Sequence, residues 1–189
     1  MMKITRRAVL LLSLLSLTGG TALYAAAGDS EMAVYLNNRL LKLTGIQSGG
    51  KMYIPLEQLT DNLHVMQDAG SSNKAIRIYK PNVNLALIDG KGGIFGKVRS
   101  GASNTFSVLV QADSLETEIT ELKITLTDPA GKTSMIDSRK ISENDSFWFK
   151  SAEYTGSFEV KGSYSIQVFF RPGAENNWAA VAEIQFSTL

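Results

Sequence analysis

Four runs in the second half of the chain alternate apolar and polar residues, and this period constrains the fold more than any other feature. Phe106, Val108 and Val110 share one face. Leu122, Ile124 and Leu126 repeat the pattern, followed by Tyr164, Ile166, Val168 and Phe170, then Ala180, Ala182, Ile184 and Phe186. Glu121, Lys123, Thr125, Ser165, Gln167, Glu183 and Gln185 fall between them. A period of two with one apolar face belongs to a half-buried strand. Asp128-Pro129-Ala130-Gly131 is a turn with Pro at its second position and Gly at its fourth. Several such strands without a helical stretch predict an antiparallel β-sandwich of immunoglobulin-like type, and Gly162-Ser163-Tyr164 opening a late strand fits it. The 189 residues include no cysteine, so the sandwich must rest on its apolar core rather than on a disulfide.

Residues 33–89 have a mixed pattern. Val34-Tyr35-Leu36 and Leu40 to Leu43 flank Asn37-Asn38, a pair that tolerates positive φ and suits a hairpin turn. Gln47 to Gly50 reads as a loop and Met52 to Ile54 as a short strand. Pro55 suits a first helical position, and Leu56, Leu59 and Leu63 then form one apolar stripe. Val65 to Asp68 and Ala75 to Tyr79 predict a second hairpin, and Val83 to Ile88 a last strand. The order VYLNNRLLKL, KMYIPLEQLTDNL and AIRIYK resembles the copper amine oxidase N-terminal-like domain family over about residues 33–89. The family usually has glycine in the first turn and after the helix, where this chain has Asn38 and His64; both enter the left-handed region more readily than most residues. The resemblance implies a small α+β module and association with the wall of a Gram-positive bacterium. It carries over no oxidase activity, because in that family the copper site belongs to a separate catalytic domain.

The first residues predict a signal peptide. Lys3, Arg6 and Arg7 precede AVLLLSLLSL, and Ala25-Ala26-Ala27 supplies small residues for cleavage. Ten apolar residues cover about half of a bilayer core, which excludes a transmembrane reading. Thr5 to Leu10 also resembles a twin-arginine signal, but nothing downstream looks like a cofactor site, which favours ordinary secretion. Loss of Lys3, Arg6 and Arg7 takes the formal net charge from +1 to −2, which argues against nucleic acid and anionic membrane partners. Gly90-Lys91-Gly92-Gly93 reads as a linker around 89–93.

Residues suited to chemistry are scarce. His64 is the single histidine, too few for a copper or zinc site, and its place at a helix C-terminus suits the helix dipole. A serine triad would also require it, and no GxSxG is present. The acidic run DSLETEITE reads as a solvated connection, without the spacing of an EF-hand. Gly90, Gly92, Gly93 and Gly96 lack the Gly-Lys-Ser/Thr of a phosphate loop. No catalytic, cofactor-binding or metal residue is therefore assigned, and the expectation is a non-enzyme. Leu109, Trp148, Phe169 and Val181 stand out of phase on the polar faces of their strands, as an interaction surface or as a seat for the N-terminal module. Pairing of the last strands around Glu175 would make Phe169 and Val181 neighbours. Trp178 suits stacking on a sugar, whereas its phase with Ala180 and Ala182 favours capping the core.

Together these readings predict a mainly β protein. A signal peptide over 1–27 precedes an α+β module over 28–91 and an immunoglobulin-like sandwich over 92–189. The expected role is non-enzymatic binding of a wall polymer or another envelope protein. The alternative is a structural or assembly protein that docks or oligomerises through the outer face of its sandwich. The sequence leaves oligomeric state open.

Overall fold

The computed structural model describes residues 30–68, 75–173 and 177–189. The expected signal peptide, the tip of the second hairpin (69–74) and Glu175 lie outside the described residues. The chain divides into two compact units, with the boundary in sequence between Gln58 and Leu59.

The first unit contains the strands β1 (Ser30–Met32), β2 (Tyr35–Leu36), β3 (Arg39–Leu40), β4 (Gly45–Ser48) and β5 (Lys51–Tyr53). β2 and β3 form the expected hairpin, with Asn37 and Asn38 at φ 50° and 62°. Both central residues of a two-residue turn with positive φ match the right-handed twist of the strands. The stretch expected as a loop from Gln47 is shorter than predicted. Gln47 and Ser48 complete β4, and Gly49-Gly50, at φ 56° and 74°, make the whole turn into β5. β4 sits between β1 and β5.

Helix α1 (Leu56–Leu63) starts directly after Pro55 and runs across the division between the units. Its leucine stripe is shallow, since Leu56 and Leu59 are half-buried and Leu63 remains 38% exposed. The buried helical residue is Gln58, whose Oε1 accepts from the Leu43 N–H at 3.1 Å while its Nε2 donates to the Leu43 carbonyl at 2.7 Å. A carboxamide has the donor and the acceptor needed to satisfy both groups of one loop residue. His64 ends the helix at φ 55°, the left-handed conformation that terminates many helices.

The second unit continues with β6 (Met66–Asp68), β7 (Arg77–Tyr79), β8 (Asn82–Asp89), β9 (Lys97–Val98), β10 (Ser103–Asp113) and β11 (Ile119–Thr127). β12 (Thr133–Glu143), β13 (Phe147–Lys150), β14 (Tyr154–Ser157), β15 (Ser163–Arg171) and β16 (Ala179–Thr188) complete it. One sheet is built on β10, which pairs with β13 and β14 along one edge and β8 along the other; the second has the order β12-β11-β15-β16-β9. All pairings are antiparallel except the short β9–β16 contact. The result is the expected immunoglobulin-like sandwich.

The structure redraws the expected boundary at residue 91. β8, read as the last strand of the N-terminal module, registers with β10 from Asn82–Asp113 to Asp89–Phe106, and its Leu87 is fully buried in the sandwich core. A strand joins whichever neighbour satisfies its backbone ladder and covers its apolar face, and for β8 that neighbour is β10. The hairpin β6–β7 also belongs to this unit, with Met66 in the core and Tyr79 packed against it. The presumed linker at 89–93 is a tight turn. Asp89 Oδ1 accepts from the backbone N–H groups of Lys91 and Gly93, both at 2.8 Å, and Gly92 adopts φ 85°.

The inward rows are the alternating residues of the sequence: Phe106, Val108 and Val110 face Leu122, Ile124, Ile166, Val168 and Phe170. Without a cysteine, this core is fastened in part by an aromatic cluster. Tyr164 stacks on Phe186 at 5.3 Å and meets Phe158 edge-on at 5.1 Å. Its hydroxyl donates to the Val160 carbonyl four residues upstream, at 3.0 Å, the tyrosine-corner arrangement of immunoglobulin-like folds.

Candidate functional site

The outer face of the five-stranded sheet follows from its register. Glu121 lies opposite Arg171 and Lys123 opposite Phe169, on the side away from the core. β16 then departs from simple alternation. Val168 pairs with Ala182 but Phe169 pairs with Ala180, so Val181 is the extra residue of a β-bulge. The bulge shifts the preceding residues by one step. Ala180 joins the outer row beside Phe169, Ala179 packs against the core, and Trp178 emerges on the outer side.

Trp178 therefore does not cap the core. It lies over the Lys123 ammonium, with Nζ 4.4 Å from its ring centroid, and the same Nζ is 4.6 Å from the Phe169 ring. Arg171 Cζ is 5.8 Å from the Trp178 ring and its Nη1 pairs with Glu121 Oε2 at 3.2 Å. Burial holds the Lys123 ammonium below the ordinary lysine pKa, and the two ring faces offset part of that loss of water. Further along the face, Glu183 accepts from Gln185 at 2.7 Å and from Gln167 at 3.0 Å. Its burial disfavours ionisation, but these carboxamides, the adjacent Ser165 hydroxyl and the nearby His64 imidazole outweigh it and lower its pKa.

The four residues expected to share an interaction surface are separated. Leu109 and Trp148 lie on the outer face of the other sheet, opposite Lys150 and Gln111 respectively. Trp148 is 64% exposed, whereas Phe169 lies on the opposite side of the sandwich. Val181 is not a surface residue, being 4% exposed. As the bulged residue it leaves the outer row, and it lines a groove of about 300 Å³ with Leu63, His64 and Pro81. The Nδ1 of His64 is buried there without a hydrogen-bond partner. A larger groove, about 410 Å³, lies between the 128–132 turn and β14, lined by Tyr154, Phe158 and Tyr164 with Asp128, Lys132 and Glu159. Among the described residues no three His, Asp or Glu side chains converge as a metal site. Sequence reasoning placed Lys123 among the polar outer residues without assigning it a role, and did not single out Arg171. The β11–β15 register sets Phe169 beside Lys123, and the bulge in β16 brings Trp178 to the same face.

Fold and face define a β-sandwich domain with an aromatic and cationic patch on one open sheet. No protein-family model matches the chain, and no curated protein matches it. Among solved structures it is similar to the CARDB domain of a Pyrococcus furiosus protein in complex with di-metal ions, at 11% identity and a TM-score of 0.35, covering 57% of this chain and 93% of that one. It is also similar to a β-glucosidase from Listeria innocua in complex with isofagomine, at 10% identity and a TM-score of 0.31. That likeness covers 58% of this chain and spans 16% of the enzyme.

Proposed function

We propose that this chain is an exported, non-enzymatic binding protein of a Gram-positive cell envelope, and that it contacts a wall polymer through the outer face of its five-stranded sheet. The observation that carries this reading is the placement of Phe169 and Trp178 around Lys123 on that face, the first by the β11–β15 register and the second by the bulge at Val181. Half-buried aromatic rings on an open sheet supply flat apolar area at small conformational cost, with polar groups close by to orient a ligand. The basic-apolar-small order of residues 1–27 supports export, and the resemblance of residues 33–89 to the copper amine oxidase N-terminal-like family supports a wall association. The lone histidine and the lack of cysteine support a role without catalysis.

The test is retention of the full chain by purified peptidoglycan and wall polysaccharide, compared with Phe169→Ala and Trp178→Ala. Retention by wild type, with loss in both variants at unchanged melting temperature, is the expected result. Equal retention of all three would remove this face from the reading. A second reading, docking or self-association through the other sheet, rests on Trp148, which is 64% exposed on β13. Light scattering separates the two: an oligomer dissolved by Trp148→Ser supports the second, and a monomer unaffected by the change counts against it.

A further inference from the structure

We propose that Lys123 is an anion-recognising residue, and that the face around it takes a glycan whose sugar rings carry carboxylate groups. This rests on the polymer-binding reading above and names the chemistry of its ligand. Lys123 is wedged between two rings, and among the described residues it makes neither an ion pair nor a hydrogen bond. The carboxylate opposite its neighbour, Glu121, is engaged by Arg171 at 3.2 Å. Glu183, further along the face, is held by Gln167 and Gln185. Among the described residues around Phe169 and Trp178 there are thus two cations, Lys123 and Arg171, and one carboxylate, Glu121, which is paired with Arg171.

A partly desolvated ammonium without an anion is costly, and an arriving carboxylate replaces the lost water with a charge-assisted hydrogen bond. The lowered pKa of Lys123 agrees with that description of its surroundings. The flanking rings add the second requirement. They offer the flat apolar area on which the C–H face of a sugar ring packs, whereas an anion without such a ring gains only the charge contact.

The experiment measures affinity of the full chain for polygalacturonate and for the same polymer fully methyl-esterified, which keeps the sugar backbone and removes the charge. Wild type should bind the acid form and release it as salt rises. Binding to the ester should be about tenfold weaker, Lys123→Gln should lose a similar factor toward the acid, and Lys123→Arg should retain most of the affinity. Equal affinity for acid and ester overturns the inference and leaves polymer binding intact. Polyglutamate bound as tightly as polygalacturonate overturns the glycan assignment in favour of an acidic peptide. Envelope polysaccharide retained equally by wild type and Lys123→Gln overturns the role of Lys123. Failure of the chain to bind any envelope polymer overturns the underlying reading instead.

Discussion

Replacing Tyr164 by Phe tests whether the tyrosine corner takes over part of the fastening that a disulfide gives other domains of this shape. The ring is 4% exposed, so Phe keeps its contacts with Phe158 and Phe186 and only the hydroxyl is lost. The Val160 carbonyl then loses its donor at 3.0 Å. Val160 is 43% exposed, so water reaches that region and limits the penalty to about 1 kcal/mol. With a urea slope of about 2 kcal/mol/M, the unfolding midpoint should fall by about 0.5 M. Tyr164→Ala, which removes the ring, should cost about 3–5 kcal/mol.

The same pair gives a pH test. Burial raises the Tyr164 phenol pKa, opposed by the bond to Val160 and reinforced by the charges of Asp128 and Glu159. With the folded value above the unfolded one, the stability contribution is complete below about pH 10 and is lost as pH rises through the folded value. Over that interval wild type loses about 1.4 kcal/mol per pH unit relative to Tyr164→Phe, so the gap between them should narrow as pH rises above about 10. A Phe variant as stable as wild type at pH 7, or a gap that does not narrow in base, would refute the reasoning.

Gln58→Leu should destabilise the first unit by about 2 kcal/mol, because both backbone groups of Leu43 lose their partner; hydrogen exchange at the Leu43 amide should quicken, and unchanged protection would count against the clamp. His64→Gly should raise stability by about 0.5–1 kcal/mol by relieving a non-glycine residue at φ 55°, read as a higher thermal midpoint. A lower midpoint would mean that imidazole packing outweighs the strain. Trp148→Ser should change stability by no more than about 0.5 kcal/mol, since most of that ring already faces water, and a larger loss in urea unfolding would contradict its exposure.

The sandwich was legible because its alternation is local. Every inward residue of β10, β11 and β15 read from the sequence is buried. The positive φ of Asn38 and His64 was legible for the same reason, since each depends on one residue and its nearest neighbours. Partner choice was not. Nothing in Val83 to Ile88 states whether that strand lies beside β7 or β10; the ladder with β10 decides it through residues about 20 to 30 positions away. The binding face was hidden by the bulge. Period-two reasoning extended from Phe186 back to Ala180 assigns Trp178 to the core, and a single unpaired residue reverses that assignment.

The bulge at Val181 also divides β16 into two segments of opposite parity. Before it the solvent-facing positions are even, Trp178 and Ala180; after it they are odd, Glu183, Gln185 and Ser187. A saturation scan of this strand should show tolerance to charged residues switching from even to odd numbers at that point. Deleting Val181 would leave Ala180 opposite Phe169 and Ala182 opposite Val168, so the face and the core can both survive the loss of the residue between them.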